Sequence, residues 1–542
     1  MPAPAPWLSL GPVSTERPAA GWTALGALDP SATARVDAAG LVDVPPAGWS
    51  LDWWVGADDR WHLPAREPAV RQRRIGSGPV IETALRIPSG DAVHRAWVTR
   101  HGGREVLVVE VENASPAPVA LAFGVRPYDV TGEGRIERFD RDDRTVWVDG
   151  RPALWLARPA NQAAVAVGRD LVDAIQAGSE LTWDGPGTDP GGRVVGLVVY
   201  PLPHRARIRV AMPVADWSSG PVDPADLPDH ETVARGWDAV VDAGARITLP
   251  DPGLSERAGR FRARLLLDAP ALPDQVVRPE PGAVLRMAAL AASGSAAEAT
   301  AAATALSQAW EDDPAPRLAS VEAVGALALT AGLADDRSLE PALTPTLVGL
   351  TRQLDRWRAR KAARPALAAL AAHTRRIGQD DAAQLLCQRA GSAGSDAWAW
   401  LPAPTVDHPG QELSEVSATG AFPDDDPTAA ARAWLGIRRL VVEDGGDGLE
   451  LFRSFPSSWR GGPAEVHRLA TLHGRLSCAI RWHGYRPALL WELERRAGDP
   501  VVPLSCPGLD PTWSSTEASG EVLLAGSAEG LAPAPVEGDS FS

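Results

Sequence analysis

Hydrophobic positions change their period twice along the chain. From Trp22 to about Leu249 they alternate with polar ones in short runs. Glu105 to Asn113 puts Leu107, Val109 and Val111 on one face and Glu110 and Glu112 on the other, the period-two pattern of a half-buried strand. Thr145-Val146-Trp147-Val148, then Asp149-Gly150, then Pro152-Ala153-Leu154-Trp155-Leu156 reads as a hairpin, because Asp and Gly tolerate the positive φ of a two-residue turn. With turn signals such as Pro88-Ser89-Gly90 and His101-Gly102-Gly103 between such runs, the economical fold here is a large antiparallel β-sandwich.

After Pro250-Asp251-Pro252-Gly253 the period lengthens. Leu347, Leu350, Leu354 and Trp357 recur at helical spacing, with Arg352, Asp355, Arg356 and Arg358 on the other faces. The Ala-rich stretch from Met287 to Leu306 allows close helix approach, and Ser293-Gly294-Ser295 marks a turn inside it. Residues 250–393 therefore read as about six or seven helices in roughly three hairpins. Residues 394–428, with Trp398, Trp400, several prolines and Asp424-Asp425-Asp426, read as a connection wrapped on the surface. Strands are expected to resume near Ile437. Leu476, Cys478, Ile480 and Trp482 alternate with polar or small residues, and Leu489, Trp491 and Leu493 return after His483-Gly484-Tyr485-Arg486-Pro487, a hairpin of a second β-sandwich. The expected organisation is multidomain α+β: an N-terminal antiparallel β-sandwich (1–249), a short α-helical hairpin domain (250–393), a connecting loop (394–428) and a C-terminal β domain with a frayed tail (429–542).

Charge narrows the partners. At a formal net charge of −16 the chain repels nucleic-acid phosphates and anionic lipid surfaces, so neither nucleic acid nor membrane is an expected partner. Lys361 is the single lysine and sits in Ala359-Arg360-Lys361-Ala362, with neither the glycines of a P-loop nor an apolar pocket for a Schiff base. Cys387, Cys478 and Cys506 form no CxxC pair, which argues against a disulfide framework and a zinc site. Met1-Pro2-Ala3-Pro4-Ala5-Pro6-Trp7 lacks the basic and apolar regions of an export signal, and no apolar run is long enough to span a bilayer, so a cytoplasmic protein is expected. No GxSxG, HExxH or GxGxxG is present, and no cofactor or metal is expected.

The order of the parts resembles the (α/α) toroid, or six-hairpin, glycosidases of glucoamylase and glycogen-debranching type. Gly124-Val125-Arg126-Pro127-Tyr128-Asp129 with Gly134-Arg135-Ile136 is similar to their N-terminal sandwich, and Gly325 through Asp336 to their helical hairpins. Leu472-His473-Gly474-Arg475-Leu476-Ser477, Arg481-Trp482-His483-Gly484 and Trp491-Glu492 resemble their closing β domain. The resemblance implies a glycoside-hydrolase-like protein acting on or binding α-glucan or a related oligosaccharide, inverting if active. A complete toroid has six hairpins and residues 250–393 supply about half, so the ring is a partial one, and the alternative is a non-catalytic carbohydrate-binding or scaffold protein.

Glycoside hydrolysis uses two opposed carboxyl groups, an acid and a base. Glu311, beside Trp310 at a helix end, is the candidate acid, although Glu311-Asp312-Asp313 also reads as a solvated loop. Asp335-Asp336 and Asp380-Asp381 read as helix caps. Leu51 to His62 concentrates Trp53, Trp54 and Trp61 with Asp58 and Arg60, a mixture suited to the C–H face and hydroxyls of a sugar; the competing reading is sandwich core plus a hairpin turn. Arg126 and Asp129 complete the candidate substrate-binding set through the resemblance, or form a structural pair. His467, His473 and His483 match no metal spacing and read as turn residues.

Overall fold

The computed structural model describes residues 21–526 except 46, 129–133, 168–182, 216–219, 335–337, 357–362, 392–395, 402–425, 446–447 and 497–498. Among the described residues the chain forms two compact units, the first ending at Asp238 and the second beginning at Ala239.

The first unit is a two-sheet sandwich. One sheet carries eight strands, with Ser50–Gly56 paired to Val119–Arg126 and that strand to Val194–Leu202. The other carries nine, with Ile81–Ile87, Gly90–His101, Arg104–Asn113 and Arg207–Pro213 at its centre. Alternation drives this arrangement: Trp53, Phe123 and Tyr200 from one sheet meet Ile81, Leu107, Val109 and Val111 from the other in one core. The expected hairpin is present, with Asp149 at φ 51° and Gly150 at φ 77° between Thr145–Val148 and Arg151–Leu156.

The strand Arg104–Asn113 is not half-exposed as its pattern predicts. Val106 and Val108, on the face opposite the core, join Trp97, Trp155, Leu227 and Ala234 in a second apolar cluster. Ala234 belongs to the helix His230–Asp242, which sequence alternation did not signal within the expected all-β region. Thr232 donates its backbone N–H to Asp229 Oδ1 at 2.7 Å to open this helix, and Ser77 donates its N–H to Asp238 Oδ1 at 2.7 Å to seat it. Gly78 lies so close to the Trp237 indole that a side chain there would collide with it.

In the second unit, eight α-helices from Pro252–Asp268 to Asp380–Ala390 are present among the described residues, more than the six or seven expected. Ala283–Ala292, Val321–Leu333, Arg364–Arg376 and Asp380–Ala390 pack in succession, while Leu272–Val277, Ala296–Asp312 and Leu339–Arg356 form a second layer. Small residues set the spacing: Gly349 admits the Trp310 indole, and Gly325 admits that of Trp400. The predicted turn at Ser293-Gly294-Ser295 joins two of these helices. Arg262, 4% exposed, donates to the carbonyls of Val240, Val241 and Ser293 and to the Ser295 hydroxyl. Burial lowers its pKa to about 10.

Three expectations change here. Ile437 lies in a helix, Pro427–Val441, which packs against Pro252–Asp268 and Ala283–Ala292; Ala430, Ala431, Trp434 and Ile437 form its buried stripe. Trp398 and Trp400 are buried rather than surface-wrapped. The strand Arg246–Thr248, which falls within the span expected to be N-terminal sandwich (1–249), pairs with Ala464–Thr471. That pairing starts a five-stranded sheet containing the predicted hairpin Gly474–His483/Arg486–Glu494, and a four-stranded sheet runs Val442–Gly445, Gly448–Leu451, Leu504–Cys506, Asp510–Ser515.

Candidate functional site

The hairpin Val442–Gly445/Gly448–Leu451 places Glu443 opposite Glu450 and Asp444 opposite Leu449. Alternation then divides the pleat. Val442, Asp444, Leu449 and Leu451 are buried, while Glu443 and Glu450 rise on the other face. The register continues from Glu450 to Ser505 and from Ser505 to Ser514, so one polar row crosses all four strands. At about 4.8 Å per strand the row spans roughly 14 Å. It floors a cleft of about 540 Å³ whose lining includes Asp396, Trp398, Arg439 and Arg453.

Two glutamates directly opposite each other repel. Arg439 Nη2 donates to Glu443 Oε1 at 2.7 Å and Arg453 Nη1 to Glu443 Oε2 at 2.5 Å, while Arg453 Nε lies 3.4 Å from Glu450 Oε2. Burial pushes the Glu443 carboxyl up, but these two guanidinium bonds outweigh it and the net pKa shift is downward.

Asp396 stands at the cleft on the turn leading to Trp398, and its Oδ1 accepts the Trp398 backbone N–H at 2.8 Å. The residue itself is exposed, yet enough protein crowds its carboxyl to move it. Desolvation first, then the charges of Glu443 and Asp444, raise its pKa against the opposing effects of the Trp398 N–H and Arg439.

Beneath the cleft, Asp444 is fully engaged. Its Oδ1 accepts the Trp398 indole N–H at 2.7 Å and pairs with Arg438 Nη2 at 2.8 Å, and its Oδ2 accepts the Leu472 N–H at 2.7 Å. The Arg438 guanidinium carbon sits 4.2 Å from the Trp398 ring centroid. Arg438 and Asp444 are both 0% exposed at the side chain, so this pair holds the floor.

The residues singled out from sequence fall elsewhere. Trp53 and Trp54 are each 1% exposed. Trp53 stacks on His94 with its indole N–H donated to the Ala39 carbonyl, and Trp54 lies on the other face of its strand against Leu63, Val195 and Leu197. Both are enclosed because their strand is buried on both faces, so neither offers an indole face to a sugar in this arrangement. Asp58 and Asp59 turn the hairpin that follows. Arg60 grips Glu67 through both Nη atoms, and half-buried Trp61 lies over Gly56. Arg126 Nη1 donates to Asp52 Oδ2 at 2.6 Å. Asp129 lies outside the described residues, as do Trp357 and Asp335-Asp336.

Glu311 is exposed in the last turn of Ala296–Asp312. The neighbouring Trp310 indole turns away to Gly349, so the expected shielding of Glu311 by tryptophan is not made through that contact. Asp380 and Asp381 occupy the first turn of their helix with Gln379 at the cap position, where they favour the helix dipole. His473 Nε2 donates to the Gly445 carbonyl at 2.8 Å and is buried beside a turn, and among the described residues no group of three or more His, Cys, Asp or Glu could hold a metal. None of the cleft residues was singled out from sequence as a candidate site residue, and Trp398 was read only as part of a connecting loop. The signal was Glu443-Asp444-Gly445 followed three residues on by Gly448-Leu449-Glu450, a glycine-rich turn flanked by alternating residues.

No protein-family model matches the chain, and no curated protein matches it. A solved bacterial glucoamylase, complexed with acarbose, is similar over 68% of this chain and 67% of that one, with 9% identity and a TM-score of 0.47.

Proposed function

We propose that the chain is a glycosidase-like protein that binds α-glucan or a related oligosaccharide without hydrolysing it, and that the Glu443–Ser514 cleft receives the sugar. The observation that supports this is the four-strand row of two carboxylates and two hydroxyls facing a cleft of about 540 Å³, with Arg439 and Arg453 at its side. Sugar hydroxyls both donate and accept, so they match such a mixed wall. The volume suits a small number of sugar rings. Binding here rests on hydrogen bonds more than on stacking, since Trp398 is 1% exposed. A reducing compartment is part of the reading, in keeping with three cysteines that stand free.

Glu311 is the candidate acid carried from the resemblance, and the candidates it gives for the facing carboxylate are Asp58, exposed in a turn, and Asp129, outside the described residues. An enzyme lacking either member of the pair loses on the order of 10²–10⁴-fold in rate. Calorimetric titration of the full chain with maltooligosaccharides is expected to give saturable heat, weakened by Arg453→Ala, and incubation with the same sugars to release no glucose. Absence of saturable heat with any neutral oligosaccharide removes the binding reading. Hydrolysis that survives repurification and disappears in Glu311→Gln replaces it with the enzyme reading.

A further inference from the structure

Charge in the cleft is uneven. Among the described residues, Asp396, Glu443 and Glu450 face it with Arg439 and Arg453, while Asp444 is already answered by Arg438. Arg439 and Arg453 close on Glu443, and Arg453 reaches on to Glu450. Among the described residues, Asp396 receives only a backbone N–H, on Oδ1. A neutral sugar cannot supply the cation that this arrangement lacks. We infer that the cleft selects ligands carrying a positive charge, an ammonium group on a sugar ring, seated against the Asp396 carboxylate.

This specificity deepens the oligosaccharide-binding reading and rests on the same cleft. The ammonium donates to Asp396 while ring hydroxyls meet Glu450, Ser505 and Ser514. A charge-assisted hydrogen bond of this kind is stronger than one from a neutral hydroxyl. The groups facing Asp396 are Arg439 from the helix Pro427–Val441, Glu443 and Asp444 from the strand Val442–Gly445, and Arg453 beyond the strand Gly448–Leu451. Their combined effect, with burial, is to make Asp396 hold a proton more readily than an ordinary aspartate, so a cationic ligand competes with that proton and binding is sensitive to mild acid.

Isothermal titration of the full chain at pH 6 with a glucosamine tetramer and with maltotetraose tests it. The glucosamine tetramer is expected to bind about tenfold more tightly, a ratio that an added charge-assisted contact supplies. In Asp396→Asn the ratio is expected to fall toward one; the amide oxygen can still accept the Trp398 N–H, and circular dichroism checks folding. Should that variant fail to fold, the wild-type ratio followed as pH is lowered decides, because protonation of Asp396 removes the preference. Equal affinities at pH 6 overturn the inference and leave the oligosaccharide reading intact. Binding of the cationic tetramer alone, with the preference lost in Asp396→Asn, sustains the inference and removes the neutral-glucan reading. A ratio unchanged in folded Asp396→Asn assigns the preference to the acidic chain as a whole and overturns the inference, and binding of neither sugar overturns both.

Discussion

Two rows of charged residues cross sheets in this protein, one in each unit, and they are built on opposite rules. In the first unit, Arg73, Glu82, Arg95, Glu110 and Arg209 stand opposite one another on five adjacent strands, alternating in sign at every step. Each link is an ion pair, with Arg73 Nε–Glu82 at 2.6 Å, Arg95 Nε–Glu82 at 2.8 Å and Arg209 Nε–Glu110 at 2.6 Å. The helix His230–Asp242 and the segment before it cover part of this row, with Leu227 accepting from Arg209 Nη1 and His230 3.8 Å from Glu110. In the second unit the row begins with two glutamates side by side and continues as two serines, open to a cleft. Self-neutralised charge can be buried; like charges placed together need partners from outside the sheet, and the place where local rules are broken is where function is expected.

The largest test of this contrast is a pair of substitutions. Glu110, 1% exposed, answers Arg209 and Arg95, so Glu110→Ala takes the carboxylate from half-buried Arg209 and one of three from Arg95, and is expected to cost about 3 kcal/mol in urea unfolding. Glu450→Gln, in the open row, removes a half-exposed contact at 3.4 Å and is expected to cost less than about 1 kcal/mol. Comparable losses from the two would break the distinction between a closed structural row and an open one.

pH sharpens it further, because two groups, one in each unit, titrate in opposite senses. On the inward face of the same nine-stranded sheet, burial lowers the pKa of His94 from 6.5 to about 3. The unfolded chain then binds a proton that the folded chain refuses, so this contribution is present above pH 6.5 and is lost as pH falls toward 3. The loss between pH 7 and pH 4 is on the order of 3 kcal/mol. His230, lowered by burial, acts in the same direction. Asp396 acts oppositely: its raised pKa favours the folded protein at low pH, and that contribution is lost as pH rises through the folded value. Unfolding of His94→Leu is expected to show a flatter slope between pH 7 and pH 4 than the parent; an unchanged slope would show that His94 does not carry it.

One strand of the first row was legible in the sequence and almost none of the second. Leu107, Val109 and Val111 announced a strand with Glu110 on its other face, and period two is a local property. What the period cannot show is that a helix some 120 positions later, an interval read from His230 and Glu110, covers that face. The same gap placed Trp53 and Trp54 in a sugar site: adjacent tryptophans point to opposite faces of a strand, and whether each face is open depends on what packs there. Pro427–Val441 hid because Leu435, Ile437, Leu440 and Val441 run into the strand that follows, and a short apolar run is ambiguous between helix and strand. The cleft needs Asp396 beside Glu443, a long-range contact with no sequence period.

Within the open row, ligand binding separates the two glutamates. Glu443 is held by two arginines, while Glu450 is reached only by Arg453 at 3.4 Å among the described contacts. Glu450→Gln is therefore expected to weaken oligosaccharide binding by about three- to tenfold, through loss of one charge-assisted acceptor, and to leave the fold intact. Calorimetry with maltotetraose and with the glucosamine tetramer reads the change. Unchanged affinity for whichever sugar binds would move the ligand off the Glu450 side of the row.

The smallest effect is expected at Glu311, and its smallness is informative. The side chain is exposed in the last turn of Ala296–Asp312, where a negative charge opposes the helix dipole. Glu311→Gln removes that repulsion and should change stability by no more than about 0.5 kcal/mol, in the stabilising direction. It does not line the Asp396–Glu443 cleft, so titration of oligosaccharide into Glu311→Gln should match the parent within about twofold. A tenfold loss of affinity would place sugar against a helix end rather than on the four-stranded sheet, and the open row would then have to be read as structural like the closed one.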